Sequence, residues 1–212
     1  MNDLLFFMMS LLLLYGAGLC VLWLTARYIA RAENGALPEL PQRAFLLGMW
    51  LTLCVAVLGA GLAGLLAPSQ QVRALLVGAW CLALASLDLA RFWLPFAFTA
   101  PMAITGAMFS LLLIPDRGAS QLVAESLCLF FPLLWIRQIA ARFAGHEMFG
   151  LGDIWLITAL VMWYPLQDVL LVTLLALLIA LPAAWRQRYL PFGPFLCLFA
   201  ALPAFISLQE VL

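Results

Sequence analysis

Four acidic side chains stand where an apolar chain has least use for charge. Asp88 closes the apolar run LLVGAWCLALASLD, Asp153 opens the run DIWLITALVMWY, Glu125 lies inside an apolar stretch, and Glu147 precedes Asp153 by six residues. The other six acids, Asp3, Glu33, Glu39, Asp116, Asp168 and Glu210, fall in or beside polar segments, where solvation accounts for them. An ionisable group within a membrane span costs about 2.5–3.5 kcal/mol on insertion scales, so a carboxylate kept there is a candidate for function. Two aspartates on different helices at one depth could share a proton and activate a water, the chemistry of an aspartic dyad. Asp88 and Asp153 are the candidates for that pair. Gly150 and Gly152 flank Leu151 directly before Asp153, and glycine lets backbone or substrate approach a carboxylate closely. Taken alone, the tetrapeptide is equally a flexible helix start with Asp153 as its cap. Asp88 alone has a bland reading too, as a side chain snorkelling at an interface and paired with Arg91.

The elements that must hold these residues are membrane helices. Of 212 residues, 67% are hydrophobic and 9% charged, and the mean hydropathy is +1.12; water-soluble domains use far less apolar material. Ten arginines and ten acids balance, with no lysine, so there is no basic face for nucleic acid and that partner is excluded. At roughly 20 residues per span, the chain holds about seven or eight helices and no soluble domain. The fold expected is an all-α, polytopic bundle, one membrane domain over residues 1–212, with the bilayer as its surroundings. The cysteines Cys20, Cys54, Cys81, Cys128 and Cys197 never form a C-x-x-C pair, which argues against a zinc knuckle or disulfide framework. The first arginine is Arg27 and no small-residue cleavage site follows the first apolar run, so that run is expected as a retained helix.

Hydropathy places eight spans at about 4 to 26, 44 to 67, 72 to 89, 93 to 114, 119 to 139, 151 to 164, 168 to 185 and 192 to 211, the sixth being short. The segment 27 to 43 is the largest polar connection. Arg27, Arg31, Arg43, Arg91, Arg137, Arg142, Arg186 and Arg188 follow the odd-numbered spans, whereas only Arg73 and Arg117 occupy the opposite set. That asymmetry is the positive-inside pattern and places both termini outside the cytoplasm. The third span then ends inside at Asp88, and the sixth starts inside at Asp153. Both carboxylates are thus expected at the cytoplasmic edge. A helix N-terminus stabilises an anion and a C-terminus does not, which suggests Asp153 as general base and Asp88 as proton holder. If they interact strongly, the pair titrates as a unit.

At these residues the sequence resembles the prepilin peptidases, membrane-embedded aspartic proteases of the G-x-G-D type. The first block is Asp88-Leu89-Ala90-Arg91 followed by Leu94-Pro95, Thr99 and Pro101, similar to the family's D-x-x-x-x-x-L-P stretch and T-x-P tail. The second is Gly145-His146-Glu147-Met148-Phe149-Gly150-Leu151-Gly152-Asp153, similar to G-x-E-x-x-G-x-G-D. The third is Leu190-Pro191-Phe192-Gly193-Pro194-Phe195-Leu196, similar to a P-F-G-P-F-L run in the family's last helix. The blocks cover about 80 to 200 in family order. The resemblance implies that Asp88 and Asp153 are catalytic, that the substrate is a type IV prepilin or pseudopilin, and that a short basic leader is removed on the cytoplasmic side of the bacterial inner membrane. It implies no cofactor and no metal, since aspartyl hydrolysis needs neither.

Two departures from the family pattern bear on function. Many relatives carry a tetracysteine zinc segment after the first helix and also N-methylate the new N-terminus, but the segment 27 to 43 has no cysteine. This looks like a short, peptidase-only relative. The family's usual lysine two residues after the second aspartate is Trp155 here, which removes a cation beside Asp153.

Glu147 matches the family motif and could attract a basic leader, or pair with Arg142. His146, the one histidine, is read as a solvated loop residue. Pro191, Phe192, Gly193 and Pro194 have no ionisable group and could act only by shaping a break that leaves backbone groups free near the site. A substrate could pair with such backbone in extended form, because a helical scissile bond is inaccessible. Glu125 is expected to pair with Arg117 or Gln121 at the outer surface, and Trp93, Trp163 and Trp185 to sit in interfacial belts.

Two other functions compete. One is an intramembrane protease of the presenilin or signal-peptide-peptidase type; Asp88 is not preceded by Tyr, and Leu202-Pro203-Ala204 is not the required Pro-Ala-Leu. The other is a proton- or cation-coupled transporter, in which an acidic pair is expected near the midplane rather than at one edge.

Overall fold

Eight α-helices form, in the order the hydropathy sets, in a computed structural model that describes residues 2–33, 40–92, 94–114, 117–144, 150–186 and 191–204. They are α1 (Asn2–Glu33), α2 (Leu40–Leu62), α3 (Pro68–Arg91), α4 (Phe96–Leu113), α5 (Ala119–Ala144), α6 (Leu151–Val161), α7 (Leu166–Arg186) and α8 (Gly193–Phe199), followed by a 3₁₀ turn at Leu202–Ala204. No strand occurs among the described residues. The helices α1 to α5 are each long and apolar enough to cross a membrane, while α6 and α7 contribute shorter apolar stretches. A hydrocarbon core leaves no water to satisfy exposed backbone, so a chain this apolar must close its hydrogen bonds within helices. The protein is an all-α, multi-pass membrane protein.

The chain packs as two compact units: Met1–Phe92 with Cys197–Leu212, and Trp93–Leu196. In the first, α3 lies against both α1 and α2. Trp50 of α2 donates its indole N–H to the Leu14 carbonyl of α1 (2.8 Å), and the hydroxyls of Ser86 and Thr25 share a hydrogen bond (3.1 Å) between α3 and α1. The turn into α3 is fixed by Pro68 in its first turn and by Gln70, whose side-chain oxygen accepts from the Ala67 N–H (2.9 Å). In the second unit, α6 packs against α4, α5 and α7. Ile154, Leu156, Ile157, Leu160 and Val161 are all enclosed. A helix apolar on every side is a core element, and α6 is that core.

Three sequence expectations are corrected. The polar segment 27 to 43 is largely helical: α1 runs on to Glu33, carrying Arg27 and Arg31, and α2 begins at Leu40. Arg27 lies over the Trp23 ring at 4.5 Å, a cation–π contact one turn apart that supports the extension. The last span does not run unbroken from 192 to 211, because α8 stops at Phe199 and a turn leads into Leu202–Ala204. Pro203 explains the break, since its ring and missing N–H oppose continuation of the preceding turns. Trp163 is fully buried rather than interfacial; it packs on Phe109 and donates to the Met102 carbonyl (3.0 Å).

Candidate active site

Asp88 lies in the last turn of α3, within a run from Cys81 to Asp88 in which every residue is buried. Its side chain is only 4% exposed, which does not fit a carboxylate snorkelling to an interface. The helix ends three residues later, at Arg91. Phe92 adopts φ 54°, the left-handed region that bulky residues seldom enter, and its N–H donates to the Asp88 carbonyl (2.7 Å). Beyond Phe92 the chain belongs to the second unit.

Asp153 occupies the third position of α6, after the cap residue Gly150, and is partly exposed. The first turn of a helix presents backbone N–H groups with no helical partner, and Asp153 stands in that turn. The two glycines before it have different tasks. A methyl on Gly150 would lie 2.8 Å from Asp153 Oδ2, so the absence of a side chain there leaves the carboxylate its place. A methyl on Gly152 would lie 2.7 Å from Leu94 Cβ and 2.8 Å from the Leu94 carbonyl oxygen. Gly152 thus lets the α6 N-terminus rest directly on backbone.

That contact joins two of the sequence blocks. Leu94 is buried, and Pro95 in extended conformation caps α4. Pro95 accepts from the Thr99 N–H (3.3 Å), and Thr99 is itself buried. The Leu-Pro-x-x-x-Thr segment is therefore a stop against which Gly152 seats. On the next turn Trp155 replaces the expected cation with aromatic packing: its ring lies 5.0 Å from Phe96 and 4.9 Å from Phe130.

The remaining candidates divide. Pro191 and Phe192 precede α8, and the Phe192 carbonyl accepts from the N–H groups of Phe195 (3.1 Å) and Leu196 (3.2 Å), so the third block forms a helix start at Gly193. Glu147 and His146 lie outside the described residues. Glu125 takes both partners expected of it, Arg117 in an ion pair and Gln121 at 2.8 Å. Sequence reasoning missed the second bond of Arg117, to the Val161 carbonyl at the end of α6 (3.1 Å). The signal was an arginine in a short connection with an acid eight residues on, inside a span. Among the described residues no three His, Cys, Asp or Glu side chains cluster as a metal site would require.

Fold and site define a polytopic membrane protein with one aspartate ending a buried helix and another opening a short core helix behind G-x-G. Comparison with known proteins gives the family. The type IV leader peptidase family model matches residues 75–185, just over half of the chain and a stretch that contains Asp88, Gly150, Gly152 and Asp153. The chain belongs to that family. It is similar to a type 4 prepilin-like proteins leader peptide-processing enzyme of Escherichia coli, 33% identical over 133 residues, a stretch that is 58% of this chain and 48% of the relative. The chain thus spans about half the length of the curated relative it matches. No solved structure matches.

Proposed function

We propose that the protein is a membrane-embedded aspartic endopeptidase that removes the short basic leader from type IV prepilins or pseudopilins at the cytoplasmic face of the bacterial inner membrane. Residues 1–212 act in it as a single peptidase domain. The family match through both Asp88 and Asp153 carries this reading, and it favours leader peptidase over the presenilin-type and transporter alternatives. The helix positions of the two aspartates support their roles. Asp153, as the carboxylate, takes a proton from water, and the water oxygen attacks the scissile carbonyl carbon. Asp88 gives its proton to the carbonyl oxygen, so that a neutral gem-diol forms without separated charge. On collapse the C–N bond breaks, the proton held by Asp153 goes to the leaving amine, and a gem-diol proton returns to Asp88. Water is added across the amide and both side chains return to their starting forms; no cofactor takes part.

Around this chemistry Gly150 gives the Asp153 carboxylate room, and Gly152 fixes the α6 N-terminus on Leu94. Glu147 attracts the basic leader, and Pro191 with Gly193 shapes backbone that an extended substrate can pair with. The cysteine-free segment 27 to 43 argues against N-methylation of the product. Co-expression with a panel of prepilins, followed by gel shift and mass spectrometry, tests the reading. Wild type should release the leader with no added methyl mass, and Asp88→Ala and Asp153→Ala should not. A panel left uncut by a folded wild-type protein would return the transporter reading to first place.

A further inference from the structure

The far end of α6 raises a physical problem. Eleven residues at 1.5 Å each give about 16 Å, too short for a hydrocarbon core of about 30 Å, and Leu160, Val161 and Trp163 around its end are all buried, so the last carbonyls of α6 end inside protein rather than in water. Helix-terminal carbonyls without partners are costly in that setting. The structure accounts for them one by one. The Ala159 carbonyl accepts from the Met162 N–H, and the Leu160 carbonyl from those of Trp163 and Tyr164, as the chain tightens into a turn. The next two are taken by side chains from other elements. Ser110 of α4 donates to the Met162 carbonyl (2.6 Å), and Arg117, in the connection before α5, donates to the Val161 carbonyl (3.1 Å).

Arg117 is 8% exposed and Glu125 18% exposed, so the ion pair is largely enclosed. The same Arg117 nitrogen, Nη2, serves both Glu125 and Val161. Glu125 is itself held by Gln121 on the same helix (2.8 Å). A pair of charges is an expensive way to satisfy one carbonyl, and apolar replacement of a buried pair is often harmless to stability. A positional role explains why a guanidinium nitrogen is held between a carboxylate and a helix-end carbonyl here.

We propose that Arg117, held by Glu125, is a positioning residue that sets α6 along its own axis and so sets the height of Asp153 at the opposite end. This inference rests on the peptidase reading above. Val161 and Asp153 are eight residues apart, about 12 Å along a stiff helix, so an axial shift at one end appears undiminished at the other. Gly152 seats the N-terminal end on Leu94, and Arg117 holds the C-terminal end; α6 is gripped at both.

The test uses full-length protein in liposomes with a prepilin peptide, and reads kcat and KM together with carbodiimide labelling of Asp153 by mass spectrometry. Arg117→Met should lower kcat on the order of 10²-fold, the penalty of a displacement near 1 Å, with KM changed less than about twofold. Arg117→Lys should recover part of the loss. Because Arg117→Met leaves Glu125 unpaired and could impair folding, the double variant Arg117→Met/Glu125→Met removes both charges. It should fold and melt near wild type, yet keep the low kcat and an altered Asp153 labelling rate. Trp50→Phe, which loses a hydrogen bond in the other unit, should lower the melting temperature and leave kcat and labelling unchanged. A well-folded double variant with wild-type kcat and labelling overturns the proposal. If wild type itself cuts no prepilin, the peptidase reading fails, while a labelling rate changed in the double variant still supports Arg117 as the residue that positions Asp153.

Discussion

Replacing Gly152 by alanine puts one methyl group where the α6 N-terminus meets Leu94. The new carbon would start 2.7 Å from Leu94 Cβ and 2.8 Å from its carbonyl oxygen, whereas carbon contacts settle at about 3.5–4.0 Å. The helix and the Leu-Pro segment must then part by about 1 Å. Overpacking of this kind costs about 1–3 kcal/mol, and the better helix propensity of alanine returns roughly 0.8–1 kcal/mol. The net loss of stability is therefore small, about 0–2 kcal/mol. Activity should suffer much more, because Asp153 is the next residue and a misplacement near 1 Å can cost on the order of 10²-fold. Gly150→Ala is the instructive partner: its methyl is tight only against the carboxylate of Asp153, with the Gly152 nitrogen in ordinary contact at 4.0 Å, so it should lower the cleavage rate with almost no change in melting. Initial rates of leader removal and thermal melting in the same detergent separate the two effects. Gly152→Ala with a wild-type rate would show that the close approach to Leu94 does not position the carboxylate, and the reasoning would fail.

Three further outcomes are expected. Trp155→Lys, which restores the residue usual in the family, exchanges two aromatic contacts for a cation and should destabilise by about 1–3 kcal/mol; a raised melting temperature would contradict the packing seen around Phe96 and Phe130. Trp163→Phe keeps a ring against Phe109 but gives up the indole bond to the Met102 carbonyl, which still accepts from the Thr105 hydroxyl (3.0 Å), and should lower stability by about 0.5–1.5 kcal/mol in a denaturation series. Alkaline phosphatase fused after Gly118 should be active and fused after Phe143 inactive, as the arginine asymmetry requires. The reverse pattern would put Asp88 and Asp153 on the wrong face.

Much of this was legible in the residues because membrane helices are written in composition. The number of helices, the brevity of the sixth and the placing of Asp88 and Asp153 at a helix end and a helix start follow from apolar runs and the polar residues between them. Helix limits beyond the apolar run were less visible. Residues 27–33 read as loop because hydropathy stops at the membrane, whereas a helix continues for as long as backbone and side chains such as Trp23 and Arg27 support it. Trp163 was misplaced because a tryptophan near a span end is scored by its depth, and only the tertiary fold brings it against Phe109 and the Met102 carbonyl. The tasks of Gly150 and Gly152 could be anticipated in kind but not in partner, since Leu94 lies nearly sixty residues earlier in the chain. The bond from Arg117 to Val161 spans elements in the same way; the local pattern marks Arg117 and Glu125 as a pair but not the carbonyl they meet.

The central claim is that Asp88 and Asp153 are both required for hydrolysis, and purified protein in liposomes tests it most directly. A synthetic prepilin with its leader and first apolar segment is incubated with wild type, Asp88→Asn and Asp153→Asn, each verified as folded by its melting curve, and the products are sequenced by mass spectrometry. Wild type should cut once, between the basic leader and the apolar segment, while each asparagine variant, nearly the same in shape but without a carboxyl group, should give no product. Turnover by either variant at the wild-type rate would contradict the dyad.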